Sequence, residues 1–529
     1  MIHASVSNEL RRIGRVALGD DVHRAARRFG ARTAVIDGPA RLTYEQLDAR
    51  SSRFAHYLAA RHGRGVQVGM LCANSADMVV ALHGILKSGN VWVPVNVMLD
   101  GPQIRYILQH AEAAVVVVDE ELRSKPHIAA ALEELGKPVV VTRAAGEHSA
   151  FGPTLAGALQ GQPDSLPEAD IDGAQVALLM YTSGTTGNPK GVMHTHASVR
   201  AAALANVATF AITEHDVLSC VLPLFHCGQH CLLAAGTVAG SAVVVLRGFN
   251  PGEILDRIQG ERLTVFAGLP MMYAGILADP RAGAADLASL RLCVYAMAPM
   301  PRPLVERIAA RVRARILLAT GQTEIYPVTM TFSPLEHPGR DANYWGISTG
   351  VCETAIMDDD GRLLGPGVPG EIVHRGPNVM LGYFKDPEAT AAAQRFGWHH
   401  TGDLGVVDEG GQLLFLDRKK DMIKTGGENV ASVKVEAAIL AHPAVAGAAV
   451  VGLPHPHWSE AVTAFVVLKP GAACDEEQLL AHCRGLLGSF EVPKAVRVLE
   501  ALPMTATGKM QKHVLRKAYE GLYASPGAA

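Results

Sequence analysis

Residues 181–191 read YTSGTTGNPKG, which places four Ser/Thr hydroxyls, three glycines and one lysine within eleven residues, directly after an apolar run. Glycine lets a backbone turn sharply and bring N–H groups close to an anion. The hydroxyls of Thr182, Ser183, Thr185 and Thr186 add donors, and Lys190 adds a point charge. The preceding run, 176–180, predicts a buried strand, so the loop sits at a strand's C-terminal end, where open α/β sheets hold ligands. A Gly/Ser/Thr-rich loop is by itself an ordinary connection. The pattern G-x-x-x-x-G-K-[ST] is not matched, because Gly184, Gly187 and Lys190 fall at intervals of three and Gly191 follows the lysine. That spacing argues against an ordinary P-loop kinase or ATPase.

Working outward, the chain reads as α/β. Residues 115–118, 139–141, 242–246, 263–267 and 290–295 are short apolar runs that predict buried parallel strands. Tyr44, Leu47, Phe54 and Leu58 share one helical face, as do Leu304, Ile308 and Val312. From 351 to 416 the pattern changes to short strands with turns at Asp360-Gly361 and Glu409-Gly410-Gly411, which predicts a small β subdomain. A compact α+β unit closes the chain. The expected division is a large N-terminal domain, 1–417, of mainly parallel sheets flanked by helices, with the β subdomain at about 345–417. A small mobile α+β C-terminal domain, 418–529, follows.

A chain of 529 residues is too long for one core. The formal net charge of −3 leaves no basic footprint, so nucleic acid is not an expected partner. The first twenty residues lack the apolar core of an export signal, and the eight cysteines are scattered through apolar runs, which points to a reducing cytoplasm. No Asp, Glu, Lys or Arg occurs in 217–246, but Pro223, His226, Gln229, His230 and three glycines interrupt the stretch. Its apolar pieces are shorter than the ~20 residues of a membrane span, so a strand, loop, helix, strand passage is expected and no integral membrane segment. His226, Cys227, His230 and Cys231 are zinc-ligand residue types, yet they lack a separated second pair, and no metal is expected there.

Six further motifs follow the loop in order: PLFHCG (223–228), ATGQTE (319–324), GEIVHRGPNVMLGY (370–383), HTGDLG (400–405), DRKKDMIKTGGENV (417–430) and PMTATGKMQK (503–512). With the loop, this series resembles the adenylate-forming, AMP-binding superfamily, of the acyl-CoA synthetase or fatty-acid-CoA ligase type. The resemblance covers nearly the whole chain. It implies attack of a carboxylate on the α-phosphate of ATP, giving acyl-AMP and pyrophosphate, and then attack of the CoA thiol on the acyl carbon. Such chemistry is catalysed by positioning and by charge stabilisation on oxygens.

Residue by residue, the resemblance implies that Thr182, Ser183, Gly184, Thr185, Thr186 and Gly187 hold the β- and γ-phosphates, supported by Lys190. Glu324 would ligate Mg2+, Thr323 would donate to the α-phosphate, and Ala298, Pro299, Thr320, Gly321 and Gln322 would line the nucleotide. Asp403 would accept both ribose hydroxyls, reinforced by Arg418. Lys509 is the implied catalytic cation, bridging substrate carboxylate and α-phosphate. Lys420 is the implied pivot about which the C-terminal domain turns between half-reactions, bringing Gly426, Gly427 and Glu428 to the pantetheine of CoA.

Relatives that take amino acids carry an aspartate near the PLFHCG position; Leu224, Phe225, His226 and Cys227 offer none, and a buried ammonium without a partner is costly. An apolar acid is therefore expected, a medium- or long-chain fatty acid first and an aryl or polycyclic acid second. His226, Cys227, Tyr295 and Met297 are the expected acyl-pocket residues. Two departures bear on the pocket: Met297 stands where many relatives have glycine, and Thr320 replaces the aromatic that precedes the glycine of ATGQTE. The stretch 454–460, PHPHWSE, departs too and has no assigned role. A competing reading is an acyl-AMP ligase that loads a carrier protein in trans. A non-enzymatic nucleotide sensor is disfavoured by the presence of Lys509, Glu324 and Asp403 together. The protein could form a homodimer.

Overall fold

The structure is a computed structural model that describes residues 14–182, 188–504 and 510–524. The chain falls into two units. Among the described residues the first holds 14–182, 189–354 and 374–399, and the second 188, 355–373, 400–504 and 510–524.

The first unit is built on two sheets. In one, the order is Tyr344–Ser348, Met330–Phe332, Arg315–Thr320, Leu292–Tyr295, Val265–Gly268, Val217–Cys220, Ala242–Val245, Thr33–Asp37, Ala40–Thr43. The strands from Arg315–Thr320 to Thr33–Asp37 are parallel, and the flanking ones are antiparallel. In the other, Val139–Thr142, Val115–Asp119, Gln67–Leu71, Val91–Pro94 and Val176–Thr182 run parallel, and Lys190–Thr195 and Gly382–Tyr383 close it antiparallel. The expected strands are present because their apolar runs are buried on both faces: all five residues of Val115–Asp119 are buried. The run that opens at Leu263 pairs only from Val265, since Leu263 itself is a core plug before the strand.

Helix Tyr44–His62 starts at a capping box between Thr43 and Gln46 and presents Tyr44, Leu47, Phe54 and Leu58, each at most 2% exposed, to the core. It packs closely on helix Ala76–Lys87: a Cβ added at Gly84 would lie 2.7 Å from the Phe54 ring, so this contact requires glycine. Helix Arg302–Ala309 is shorter than the Leu304, Ile308, Val312 pattern predicts; Val312 lies in the turn after it and is still buried. The uncharged stretch 217–246 forms strand Val217–Cys220, a loop, helix Cys227–Ala239 and strand Ala242–Val245. Among the described residues no helix is long and apolar enough to cross a membrane.

The second unit contains the two expected hairpins. One turns at Asp358–Arg362, where the Asp358 carboxylate accepts the N–H groups of Asp360 and Arg362. The other joins Trp398–Val407 to Leu413–Arg418. Beyond them a five-stranded sheet has the order Glu428–Val430, Ile423–Thr425, Ser459–Leu468, Val445–His455, with Ala495–Val498 parallel on Ser459–Leu468. Helices Ser432–Leu440 and Glu476–Arg484 bury Val435, Ile439 and Leu479 in the same core as Val450, Val462 and Val466, giving an α+β unit. Residues 355–373 and 400–417 group with this unit.

Candidate active site

Strands Val176–Thr182 and Lys190–Thr195 pair antiparallel with Thr182 opposite Lys190, so these two residues mark the ends of the hydroxyl-rich loop. Ser183, Gly184, Thr185, Thr186 and Gly187 lie outside the described residues. The base of the loop is tightly held. The Tyr181 hydroxyl meets Nδ1 of His110 at 2.7 Å, and the Gly191 carbonyl accepts the N–H of Phe384 at 2.7 Å. A Cβ at Gly191 would lie 2.9 Å from Leu179, so the glycine after the lysine serves this packing. Lys190 Nζ stands 4.9 Å over the Tyr383 ring and 3.9 Å from Asp386 Oδ2, with its side chain 47% exposed. Such a surface pair contributes less than about 1 kcal/mol, which leaves the ammonium available to a bound anion.

Strand Arg315–Thr320 ends at Thr320, whose carbonyl accepts both the N–H and the hydroxyl of Thr329, with the two hydroxyl oxygens 3.3 Å apart. The chain folds back between them. A Cβ at Gly321 would stand 2.6 Å from that of Pro327, so only glycine permits this fold-back. The returning segment is anchored on residues 378–380: the Tyr326 N–H donates to Asn378 O, Asn378 Nδ2 to Tyr326 O, and the Met380 N–H to Glu324 O. His194 Nε2 donates to Thr323 O at 2.6 Å. Within this frame the Tyr383 hydroxyl donates to Glu324 Oε1 at 3.0 Å, and Cys227 Sγ lies 3.9 Å from Thr323 Oγ1. Burial and the Glu324 carboxylate raise the Tyr383 phenol well above its ordinary range, so it stays a donor. Thr182, Lys190, Thr323 and Glu324 are thus tied together through Tyr383 and the strand bearing His194. Gln322 lies on the same fold-back.

Among the described residues no group of three or more His, Cys, Asp or Glu could hold a metal. A lone carboxylate fits Mg2+, which takes one or two protein carboxylates and completes its octahedron with phosphates and water.

Around the residues expected to meet the acid, the register sets Gly268, Tyr295 and Leu318 side by side toward the C-terminal ends of parallel strands. Tyr295 is 3% exposed and packs in the core with Phe266 and Phe332. Two residues on, Met297 has φ +70 and is 66% exposed, followed by exposed Ala298 and Pro299. The left-handed region costs a side-chain-bearing residue about 1 kcal/mol or more, so the methionine is held against backbone preference. His226 is the residue before helix Cys227–Ala239, its ring 4.7 Å from that of Phe225. Cys231 donates to Gly228 O, and burial raises its thiol.

In the second unit, Asp403 is buried and sits opposite Arg418 in the hairpin, Nε to Oδ1 3.8 Å. Its backbone is fixed by a chain of hydrogen bonds: Asp403 N–H to the Thr401 hydroxyl, and that hydroxyl to Ile372 O. Glu371, buried, accepts the Gly402 N–H at 3.0 Å, faces His400 Nδ1 at 3.1 Å and pairs with Lys419 at 3.2 Å. Burial works to raise this carboxyl, but the bonds from His400, Gly402 and Lys419 outweigh it and hold it below its ordinary value. Sequence reading gave Glu371, Tyr383 and His194 no role, although the first two lie inside quoted motifs and the third lies on the strand that leaves the loop.

Lys420 lies in a tight turn in which Asp421 and Met422 N–H groups both donate to Arg418 O. The turn is bridged from both sides: Asp417 Oδ2 accepts the Ser432 hydroxyl at 2.6 Å, and Oδ1 accepts the Arg418 N–H at 2.7 Å. Gly426 and Gly427, with φ +60 and +88, form the two-residue turn between Thr425 and Glu428, a conformation glycine takes without strain. Lys509, with Thr505, Ala506, Thr507 and Gly508, lies outside the described residues; the flanking Met504 and Met510 are bridged.

Residues 22–384 match the model of a family described as AMP-binding enzyme, and residues 434–509 that described as AMP-binding enzyme C-terminal domain. The chain is 34% identical to a feruloyl-CoA synthase of an Amycolatopsis species over 95% of this chain and 99% of that protein. It is 35% identical to the 3-[(3aS,4S,7aS)-7a-methyl-1,5-dioxo-octahydro-1H-inden-4-yl]propanoyl:CoA ligase of Rhodococcus jostii, over 93% of this chain and 97% of that one. The crystal structure of ATP-bound MatB from Rhodopseudomonas palustris superimposes with a TM-score of 0.84 at 30% identity, covering 96% of this chain and 99% of that one.

Proposed function

We propose, from the premise that this chain belongs to the AMP-binding enzyme family and is an acid–thiol ligase, that it joins an apolar carboxylic acid to CoA through an acyl-adenylate. The observation that carries this reading is Tyr383, which donates to Glu324 on the ATGQTE segment while its ring lies under Lys190 at the end of the hydroxyl-rich loop. A cation and a carboxylate are thereby set beside the loop expected to take the pyrophosphate.

In the first half-reaction a carboxylate oxygen bonds to the α-phosphorus of ATP as the bond to the bridging oxygen breaks, and pyrophosphate leaves. Thr182 and the hydroxyls after it, with Lys190, take the charge on the departing phosphates. Thr323 donates to the α-phosphate, and Glu324, steadied by Tyr383, holds Mg2+, which neutralises phosphate charge when bound. Ala298, Pro299, Thr320, Gly321 and Gln322 line the nucleotide, and Asp403 with Arg418 takes the ribose hydroxyls. Lys509 bridges the carboxylate and the α-phosphate. In the second half-reaction the CoA sulfur bonds to the acyl carbon, AMP leaves with the former carboxylate oxygen, and the thiol proton passes to solvent. Rotation about Lys420 exchanges Lys509 for the Gly426–Gly427 turn and Glu428 between the two steps.

The acid meets His226, Cys227, Tyr295 and Met297, and neither these nor the neighbouring Leu224 and Phe225 offer a charged partner for an amino acid's ammonium. The methionine at a glycine-type backbone position adds apolar bulk and narrows the acid's path there, and the acids expected are medium or long alkyl chains first and aryl or polycyclic acids second. Pyrophosphate release across alkyl, aryl and polycyclic acids, with and without CoA, tests the reading. Turnover confined to α-amino acids, or AMP release independent of CoA, contradicts it. A carrier-protein acceptor in its place would appear as AMP release that requires the carrier. A cytoplasmic location and a homodimer belong to the same proposal and are checked by fractionation and light scattering.

A further inference from the structure

Two buried imidazoles in the first unit are unexplained by substrate contact. His194 is fully buried and His230 is 2% exposed. A leucine at either place would satisfy the core more cheaply than an imidazole, whose ring nitrogens must find partners. His194 Nε2 finds the Thr323 carbonyl at 2.6 Å, whereas its Nδ1 is buried with no hydrogen-bond partner. His230 Nδ1 bonds the Tyr326 hydroxyl. The two rings stand edge-on to Tyr326, with centroids at 5.3 and 6.0 Å. Behind His230, a cavity of about 20 Å³ bordered by His83, Asp21 and Thr237 has room for one water, and both nitrogens of His83 are buried without a partner.

The two histidines come from different parts of the site. His194 is the fifth residue of strand Lys190–Thr195, which begins at the loop's lysine. His230 is one turn into helix Cys227–Ala239, which begins beside His226. Both end on residues 323–326, the fold-back that carries Thr323 and Glu324. Burial keeps His194 neutral down to about pH 4 and His230 to about 3, so each is a fixed hydrogen-bonding group and not a proton carrier.

We infer that His194 and His230 are positioning residues for adenylation, fixing the Thr323–Glu324 segment against the phosphate-loop strand on one side and the helix behind His226 on the other. This rests on the adenylation reading above. A displacement of even 1 Å in such a segment slows a positioning-dependent step by roughly 100-fold, while thioester formation from preformed acyl-AMP does not use these contacts.

The test compares wild type, His194→Leu, His194→Gln and Tyr326→Phe in two assays: pyrophosphate release with the best acid, and acyl-CoA formation from supplied acyl-AMP. His194→Leu is expected to slow pyrophosphate release roughly 10- to 100-fold, with acyl-CoA formation from acyl-AMP within about 3-fold of wild type. Its Tm should change little, because relief of the orphaned Nδ1 opposes the loss of the donor to the Thr323 carbonyl. Glutamine can present a donor near the position of Nε2 and should recover most of the rate. Tyr326→Phe deletes only the hydroxyl that His230 meets, and should slow pyrophosphate release alone even if the leucine variant does not fold. Equal slowing of both assays, or leucine and glutamine variants with the same adenylation rate, overturns the inference. Failure of wild type to release pyrophosphate with any acid would instead overturn the adenylation reading itself.

Discussion

The Tyr383 hydroxyl donates to Oε1 of Glu324 at 3.0 Å across 59 residues of sequence, and the Lys190 ammonium lies 4.9 Å over the ring of the same tyrosine. The tyrosine is therefore a spacer that sets the distance between a carboxylate and a cation, both of which the adenylation reading assigns to phosphate. Tyr383→Phe keeps the ring and removes the donor. The expected result is a loss of roughly 10-fold in adenylation rate with a raised Mg2+ requirement, since a hydrogen bond to a charged group is worth ~1.5 kcal/mol or more. Steady-state pyrophosphate release titrated with Mg2+ checks it; an unchanged Mg2+ dependence removes Tyr383 from the metal's surroundings.

Lys509 and Lys420 are predicted to separate the half-reactions. Lys509→Ala should abolish acyl-adenylate formation and largely spare thioester formation from supplied acyl-AMP. Lys420→Pro should do the reverse, because the turn at 419–421 loses its freedom to change φ and ψ. Single-turnover assays of each step decide between them, and an equal loss of both steps in either variant contradicts the assignment.

Met297→Gly relieves a left-handed backbone strain of ~1 kcal/mol, but the added freedom of glycine in the unfolded chain offsets a similar amount, so stability should move by less than about 1 kcal/mol. The selectivity should move further. Removing the side chain is expected to raise kcat/KM for longer or bulkier acids relative to short ones, measured across a graded alkyl and aryl series. An unaltered order of preference would place Met297 outside the acid's path.

Acid stability should depend on His83. Its imidazole is 4% exposed, and burial, with smaller contributions from Lys87 and His230, lowers its pKa from 6.5 to about 3; Asp21 borders the same cavity. A proton binds the unfolded chain below pH 6.5 but not the folded one until about pH 3. The stabilisation is thus complete above pH 6.5 and is lost as pH falls toward 3, at up to ~1.4 kcal/mol per pH unit. Urea midpoints at pH 7, 6 and 5 should fall more steeply for wild type than for His83→Leu; parallel slopes would show that His83 does not titrate in this way.

The strand at Val115–Asp119 was legible because four consecutive valines make a short apolar run suited to a strand buried on both faces, whereas residues 183–187 of the hydroxyl-rich loop lie outside the described residues. His194 was not legible: its partner, the Thr323 carbonyl, is 129 residues away and is a backbone atom, which no side-chain pattern announces. Glu371 likewise organises the Gly402 turn from 31 residues upstream, through contacts that exist only once strands have paired. Val312 shows the opposite limit: its periodicity correctly marked a buried face while the helix stopped three residues earlier.

The carboxylate of Asp417 precedes Lys420 and the Ser432 hydroxyl follows it, yet the two are bonded at 2.6 Å. Under the proposed rotation about Lys420 this bond would have to part, and the Asp417–Ser432 pair would act as a latch on that movement. Its release would then set a threshold crossed twice in each catalytic cycle, once in each direction. The speed of product formation would then be governed by one buried serine hydroxyl that never meets the substrate.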